Sequence, residues 1–150
     1  MRWLKSTSNR TFVVWPLVLY ATEAALQQAL PRIEPLALPI LAWGYLQYRW
    51  VGVYRTRLGG GGPGISNPPD RVVEAGPYRH VRNPMYLGHL VFFAGLALVL
   101  RSWVGAAVFV AHAFWFHQRV REDEARLAER FGAPYLDYCR RVKRWIPGVL

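Results

Sequence analysis

Two stretches of this sequence bring together residue types that could do chemistry. The stretch 76–88, GPYRHVRNPMYLG, places two arginines, two tyrosines and a histidine directly before an apolar run that ends at Leu100. Pro84 suits the first turn of a helix, where its missing N–H would have no partner anyway. Asn83 before it suits an N-cap. A helix start offers unpaired N–H groups and partial positive charge, and both favour a carboxylate. Arg79 and Arg82 strengthen that field. The combination suits a small, flat, partly anionic ligand; a basic loop with a capping proline is the plainer reading, and these residues alone leave both open.

The second stretch lies about thirty residues later. Arg119 and Asp123 are four apart and share a helical face, which His112 and Phe116 continue into an apolar segment. Ionisable groups on an inward face beside a bilayer are costly and point to function. The alternative is an ordinary exposed ion pair, worth about 0.3–0.5 kcal/mol.

The elements that must position these residues are greasy. The chain has 150 residues, is 53% hydrophobic and 15% aromatic, and carries a net charge of +10. Its charge is segregated from its apolar runs. Of the 19 Lys and Arg, 3 lie at Arg2, Lys5 and Arg10, 5 at Arg55, Arg57, Arg71, Arg79 and Arg82, and 8 between Arg119 and Arg144. This pattern points to an integral membrane protein of one domain, 1–150. It excludes a single-strand nucleic-acid binder, which would interleave cations with exposed aromatics. Cys139 is the only cysteine, so no internal disulfide forms, and no Cys/His spacing suggests a metal site.

The expected fold is all-α: an integral membrane helical bundle of about four spans, near 11–30, 36–54, 83–100 and 104–121, with a cytoplasmic C-terminal helical extension over 122–150. The first span carries Glu23, Gln27 and Gln28, with 23 and 27 on one inward face. A cleaved signal peptide is the rival reading for this segment; Pro16 inside the apolar core and the lack of a small-x-small cleavage site speak against it. The stretch 55–82 contains RTRLGGGGPGISNPPD, whose glycines and prolines predict a long, mobile loop. Gly132 predicts a helix stop. The aromatic and basic tail suits a helix lying on headgroups. The positive-inside rule places both termini and the 55–82 loop in the cytoplasm, which for a bacterium means the inner membrane.

The motifs resemble those of the isoprenylcysteine carboxyl methyltransferase and phospholipid methyltransferase group. The shared pattern runs Gly-x-Tyr, Arg-His-Pro-x-Tyr-x-Gly, an acidic pair, Phe-Gly-x-x-Tyr-x-x-Tyr and Val-x-Arg-x-x-Pro. This chain supplies Gly76, Tyr78, Arg82, Asn83, Pro84, Met85, Tyr86, Leu87 and Gly88. It then supplies Asp123, Glu124, Phe131, Gly132, Tyr135, Tyr138, Val142, Arg144 and Pro147. The match covers about the last eighty residues. It departs twice: Asn83 stands where the group has histidine, and Asp123 where it has glutamate. Asn keeps hydrogen bonding but cannot titrate near neutral pH.

The resemblance implies an S-adenosylmethionine-dependent membrane methyltransferase. It implies a cofactor pocket of Asp70, Arg71, Val72 and Val73 with Tyr78, Arg82, Asn83, Pro84, Met85, Tyr86 and Gly88. Glu124 would approach the cofactor's ammonium or sulfonium. Arg119 and Asp123 would stand at the substrate end as catalytic residues. The implied partners are membrane lipids and a lipophilic small-molecule or lipid acceptor entering from the bilayer, without nucleic acid. The acceptor and the oligomeric state stay open. Two rival readings remain: a catalytically degenerate scaffold of the same group, motivated by Asn83, and a haem or quinone subunit using His89, His112 or His117.

Overall fold

The computed structural model describes residues 6–148. Among these every regular element is helical, apart from an isolated parallel bridge between Val81 and Lys143. The all-α expectation therefore holds. Helix α1 (Thr7–Asn9) leads through a π-helical segment, Arg10–Val14, into α2 (Trp15–Gln27). Pro16 explains the wide turn: it has no N–H to return to the preceding turn, so the ladder opens there. Gln28, left-handed at φ 50°, ends α2.

A 3₁₀ turn over Pro35–Ala37 opens α3 (Leu38–Gly59), which runs five residues beyond its expected end at 54. Helix α4 (Pro84–Val99) begins on Pro84 as expected. Helix α5 (Trp103–Phe131) runs on from the apolar segment into the charged residues up to Gly132, as expected, because charged residues with good helix propensity do not interrupt a helix. Gly132, at φ 61°, stops it and leads into α6 (Ala133–Arg141).

No described helix is long and apolar enough to cross a membrane. Helix α4 is the most apolar, but its 16 residues rise only about 24 Å. Helices α3 and α5 have the length, but arginines such as Arg49, Arg55, Arg119 and Arg121 break their apolar windows.

The chain forms two compact units. The first comprises Met1–Leu46 and Gly88–Ala113. Its centre is Leu19, Phe92, Leu96 and Leu100, with Phe12, Leu41, Val104 and Val108 packed around them. Two glycines let α3 and α4 touch backbone to backbone here: a Cβ on Gly44 would lie 2.3 Å from the Phe92 nitrogen, and one on Gly95 2.6 Å from the Leu41 nitrogen. Buried Glu23 accepts hydrogen bonds from Ser102 and from Gln27, the latter at 2.9 Å. Ser102 Oγ also accepts the Gly105 N–H at 2.7 Å, capping the start of α5. Much of this unit's exterior is apolar: Leu17, Leu36 and Trp103 are 67%, 86% and 89% exposed.

The second unit comprises Gln47–Leu87 and Phe114–Leu150. Val51, Val73, Val81, Met85, Phe116, Val120, Tyr135, Tyr138 and Val142 are buried in it. The Tyr138 hydroxyl donates to the Tyr78 carbonyl at 2.7 Å, and the Arg82 N–H to the Lys143 carbonyl at 2.9 Å. These two bonds fasten α6 and the tail to the segment before α4.

Candidate functional site

The second unit holds a cavity of about 480 Å³. Its wall takes Tyr78, Arg82, Asn83, Met85 and Tyr86 from the 76–88 stretch, and Arg119, Asp123, Arg126, Leu127 and Arg130 from α5. The remainder comes from Arg55 near the end of α3 and from Ile65, Ser66, Pro68 and Pro69 in the glycine-rich stretch. Two segments some forty residues apart in sequence thus share one wall.

Their closest link is between Tyr86 and Asp123. The Tyr86 hydroxyl donates to Asp123 Oδ2 at 2.5 Å, while its ring meets Phe116 edge-on at 5.3 Å. Arg126 donates to the other carboxylate oxygen, and Arg119 Nε lies 3.7 Å from it. Asp123 is thereby oriented from three sides. A carboxylate has about four acceptor sites, so it retains capacity for a further donor.

Glu124, one residue on, is differently engaged. It is 8% exposed and does not line the cavity. Arg82 grips it side-on, Nε to Oε1 at 3.0 Å and Nη2 to Oε2 at 3.1 Å. Arg144 donates to Oε2 at 2.7 and 3.0 Å, and Asn83 Nδ2 to Oε1 at 2.8 Å. Burial alone would raise its pKa; the bonds from Arg144, Arg82 and Asn83 together outweigh it and hold the carboxyl below its ordinary value. Arg82 Nη1 also donates to the Cys139 and Val142 carbonyls, at 2.9 and 2.6 Å, and so caps the end of α6. Asn83 sits at the N-cap position through its carbonyl, which accepts the Leu87 N–H at 3.0 Å, while its side-chain amide is spent on Glu124. Burial pushes the Tyr78 phenol far up, against the opposing pull of Arg55, so it stays protonated.

Of the residues singled out from the sequence, Tyr78, Arg82, Asn83, Met85, Tyr86, Arg119 and Asp123 meet at the cavity. Asp70, Arg71, Val72, Val73, Pro84, Gly88 and Glu124 are not in its wall. Asp70 lies beside it: Oδ2 accepts the Gly61 N–H at 2.9 Å, and Oδ1 stands 3.6 Å from Arg130. Val73 is buried against Gly59. Gly88 belongs to the first unit.

Sequence reasoning passed over Arg126, Leu127 and Arg130, although with Arg119 and Asp123 they form one helical stripe at three- and four-residue spacing. Arg55 and the 65–69 segment gave no local signal.

The three histidines weighed as haem ligands, His89, His112 and His117, are in aromatic surroundings. His89 packs on Phe12 at 4.8 Å, and His112 on Phe93 at 4.2 Å and Trp15 at 5.0 Å. His117 accepts a 3.2 Å hydrogen bond from the Trp145 indole. Among the described residues no three His, Cys, Asp or Glu side chains group closely enough to hold a metal ion.

Comparison with known proteins agrees with the motif resemblance. Residues 61–133 match the family described as phospholipid methyltransferase. The chain is 34% identical over 79 residues to protein-S-isoprenylcysteine O-methyltransferase A of Arabidopsis thaliana, covering 52% of this chain and 40% of that protein. It is 32% identical over 83 residues to the Schizosaccharomyces pombe protein-S-isoprenylcysteine O-methyltransferase, covering 54% and 35%. With the Saccharomyces cerevisiae protein of that name it shares 33% over 80 residues, covering 52% and 33%. The matched part spans less than half the length of each relative. Over these residues the chain is similar to both groups that its motifs resemble.

Proposed function

We propose that this chain transfers a methyl group from S-adenosylmethionine to a lipophilic acceptor at a membrane. The observation that carries the reading is one cavity lined both by the motif residues Tyr78, Asn83, Met85 and Tyr86 and by Arg119 and Asp123, with Tyr86 and Asp123 joined directly. The similarity to named methyltransferases over the segment containing them supports it.

The residues fit such a cofactor. The volume lies in the range of about 300–1,000 Å³ usual for small-molecule sites. Tyr78, Met85 and Tyr86 offer flat and polarisable surface, and Asp123 offers a carboxylate for a cationic group. S-adenosylmethionine supplies, when bound, a methyl group on a positively charged sulfur. This chemistry asks for alignment more than for a strong acid or base. Asp123, fixed by Tyr86 and Arg126, provides one oriented negative charge. Arg119, in the cavity wall with its side chain 35% exposed, provides a guanidinium suited to an acceptor oxygen or carboxylate. Glu124, Arg82, Asn83 and Arg144 brace the segments that carry these groups.

The apolar exterior of the first unit, with Leu17, Leu36 and Trp103 turned outward, supports a membrane location. In this reading lipid covers that exterior, and the acceptor enters from the bilayer.

The test is incubation of the purified protein in lipid nanodiscs with methyl-labelled S-adenosylmethionine and a lipid extract. Label in an organic-soluble product is the expected result, with loss on Arg119→Ala and Asp123→Ala. Cofactor binding without any labelled product identifies a degenerate scaffold. Neither binding nor product overturns the reading.

A further inference from the structure

We infer that Arg55 is a positioning residue that builds one wall of the cavity, by holding the 60–69 loop in place, and thereby sets the affinity for what the cavity binds. The identity of that ligand rests on the methyltransferase reading; the wall itself rests on geometry alone.

Arg55 is 8% exposed, a burial that arginine tolerates only when paired. Its Nη2 donates to the carbonyls of Gly62, Gly64 and Asn67 at 2.7, 2.8 and 2.7 Å. One nitrogen with two hydrogens thus serves three acceptors, and a hydrogen is shared. For three carbonyls to converge, the chain must curl around the guanidinium. Gly60, Gly61 and Gly62, at φ 73°, 78° and 154°, permit that curl, and a Cβ on Gly61 would lie 2.1 Å from the Pro68 carbonyl.

The same curl presents Ile65, Ser66, Pro68 and Pro69 to the cavity. A second fastening is weaker. Arg130 Nη1 donates to the Pro69 carbonyl at 3.1 Å, but the Arg130 and Asp70 side chains are 46% and 68% exposed. The loop is therefore held chiefly from within, by the buried Arg55 guanidinium.

The test uses the full chain in nanodiscs, hydrogen–deuterium exchange over 60–69, and calorimetric binding of S-adenosylhomocysteine. Arg55→Ala should abolish protection at 62–67 and weaken binding about tenfold or more, the scale set by losing hydrogen bonds to a charged group. Protection in α5 should not change. Arg55→Lys should restore part of both effects, since lysine keeps the charge but not the fork. Arg130→Ala should change binding by less than about twofold.

Unchanged exchange at 62–67 in Arg55→Ala overturns the inference, as does a deprotected loop with wild-type affinity. If Arg55→Ala does not fold, Arg55→Lys and Gly61→Ala decide it on the same two measurements. If the wild type binds no S-adenosylhomocysteine, the functional reading fails, and the exchange result alone still decides whether Arg55 holds the wall.

Discussion

Each unit buries one glutamate, and the two are treated in opposite ways. In the first unit Glu23 receives neutral donors, Ser102 and Gln27. In the second, Glu124 receives two guanidinium groups and an amide. Every ion pair found among the described residues lies in the second unit. The first unit is instead held by apolar packing and close backbone approach. The contrast shows where charge can be used: a guanidinium is cheap to place where water can reach its far side, and costly within a greasy shell.

The sharpest way to break the contrast is Glu124→Ala. It leaves Arg82 and Arg144 without their shared partner in a nearly buried site, and should destabilise the protein by about 3–5 kcal/mol in thermal or denaturant unfolding. The pH dependence follows from the same bonds. Because the folded carboxyl is held below its ordinary value, its contribution is complete above the usual glutamate range, about 4.3, and is lost as the pH falls through the lower folded value. The unfolding midpoint of the wild type should drop in that window, and that of Glu124→Gln should not.

Gly44→Leu is the counterpart in the first unit. It forces a side chain into the α4 backbone and should cost about 1–3 kcal/mol or more, seen as a lowered melting temperature in detergent by circular dichroism. A variant as stable as the wild type would show that the close approach is dispensable.

Ser102→Ala removes both the cap at the start of α5 and one donor to Glu23. A loss of about 1–2 kcal/mol in the same melts is expected. The smallest effect belongs to Arg140→Ala. Its pair with Asp137 is exposed, so the change should stay below about 0.5 kcal/mol; a larger loss would mean that surface charge in the second unit counts for more than this comparison allows.

Much of this was legible in the sequence. Pro84 announced the start of α4 and Gly132 the end of α5, because each residue's backbone chemistry acts locally. Tyr86 and Asp123, both named from the motifs, do meet. The π segment before Pro16 was not foreseen; hydropathy marks where apolar runs lie, not how the helical hydrogen bonds are spaced within them. The glycine-rich stretch was expected to be mobile. Composition shows that such a segment is neither helix nor central strand, but cannot show that an arginine at the end of the preceding helix gathers its carbonyls. Glu124 was expected at the cofactor; its engagement by Arg82 and Arg144 depends on contacts 42 and 20 residues away, for which no local pattern exists.

The notches at Gly44 and Gly95 carry a consequence for how this chain can vary. Each glycine faces the opposite helix's main chain, one turn from the other, so the pair fixes the register of α3 against α4 at two points. Inserting a single residue between 41 and 44, or between 92 and 95, would swing one contact point by about 100° relative to the other and put a bulky neighbour where only hydrogen fits. Length changes are therefore shut out of this seam.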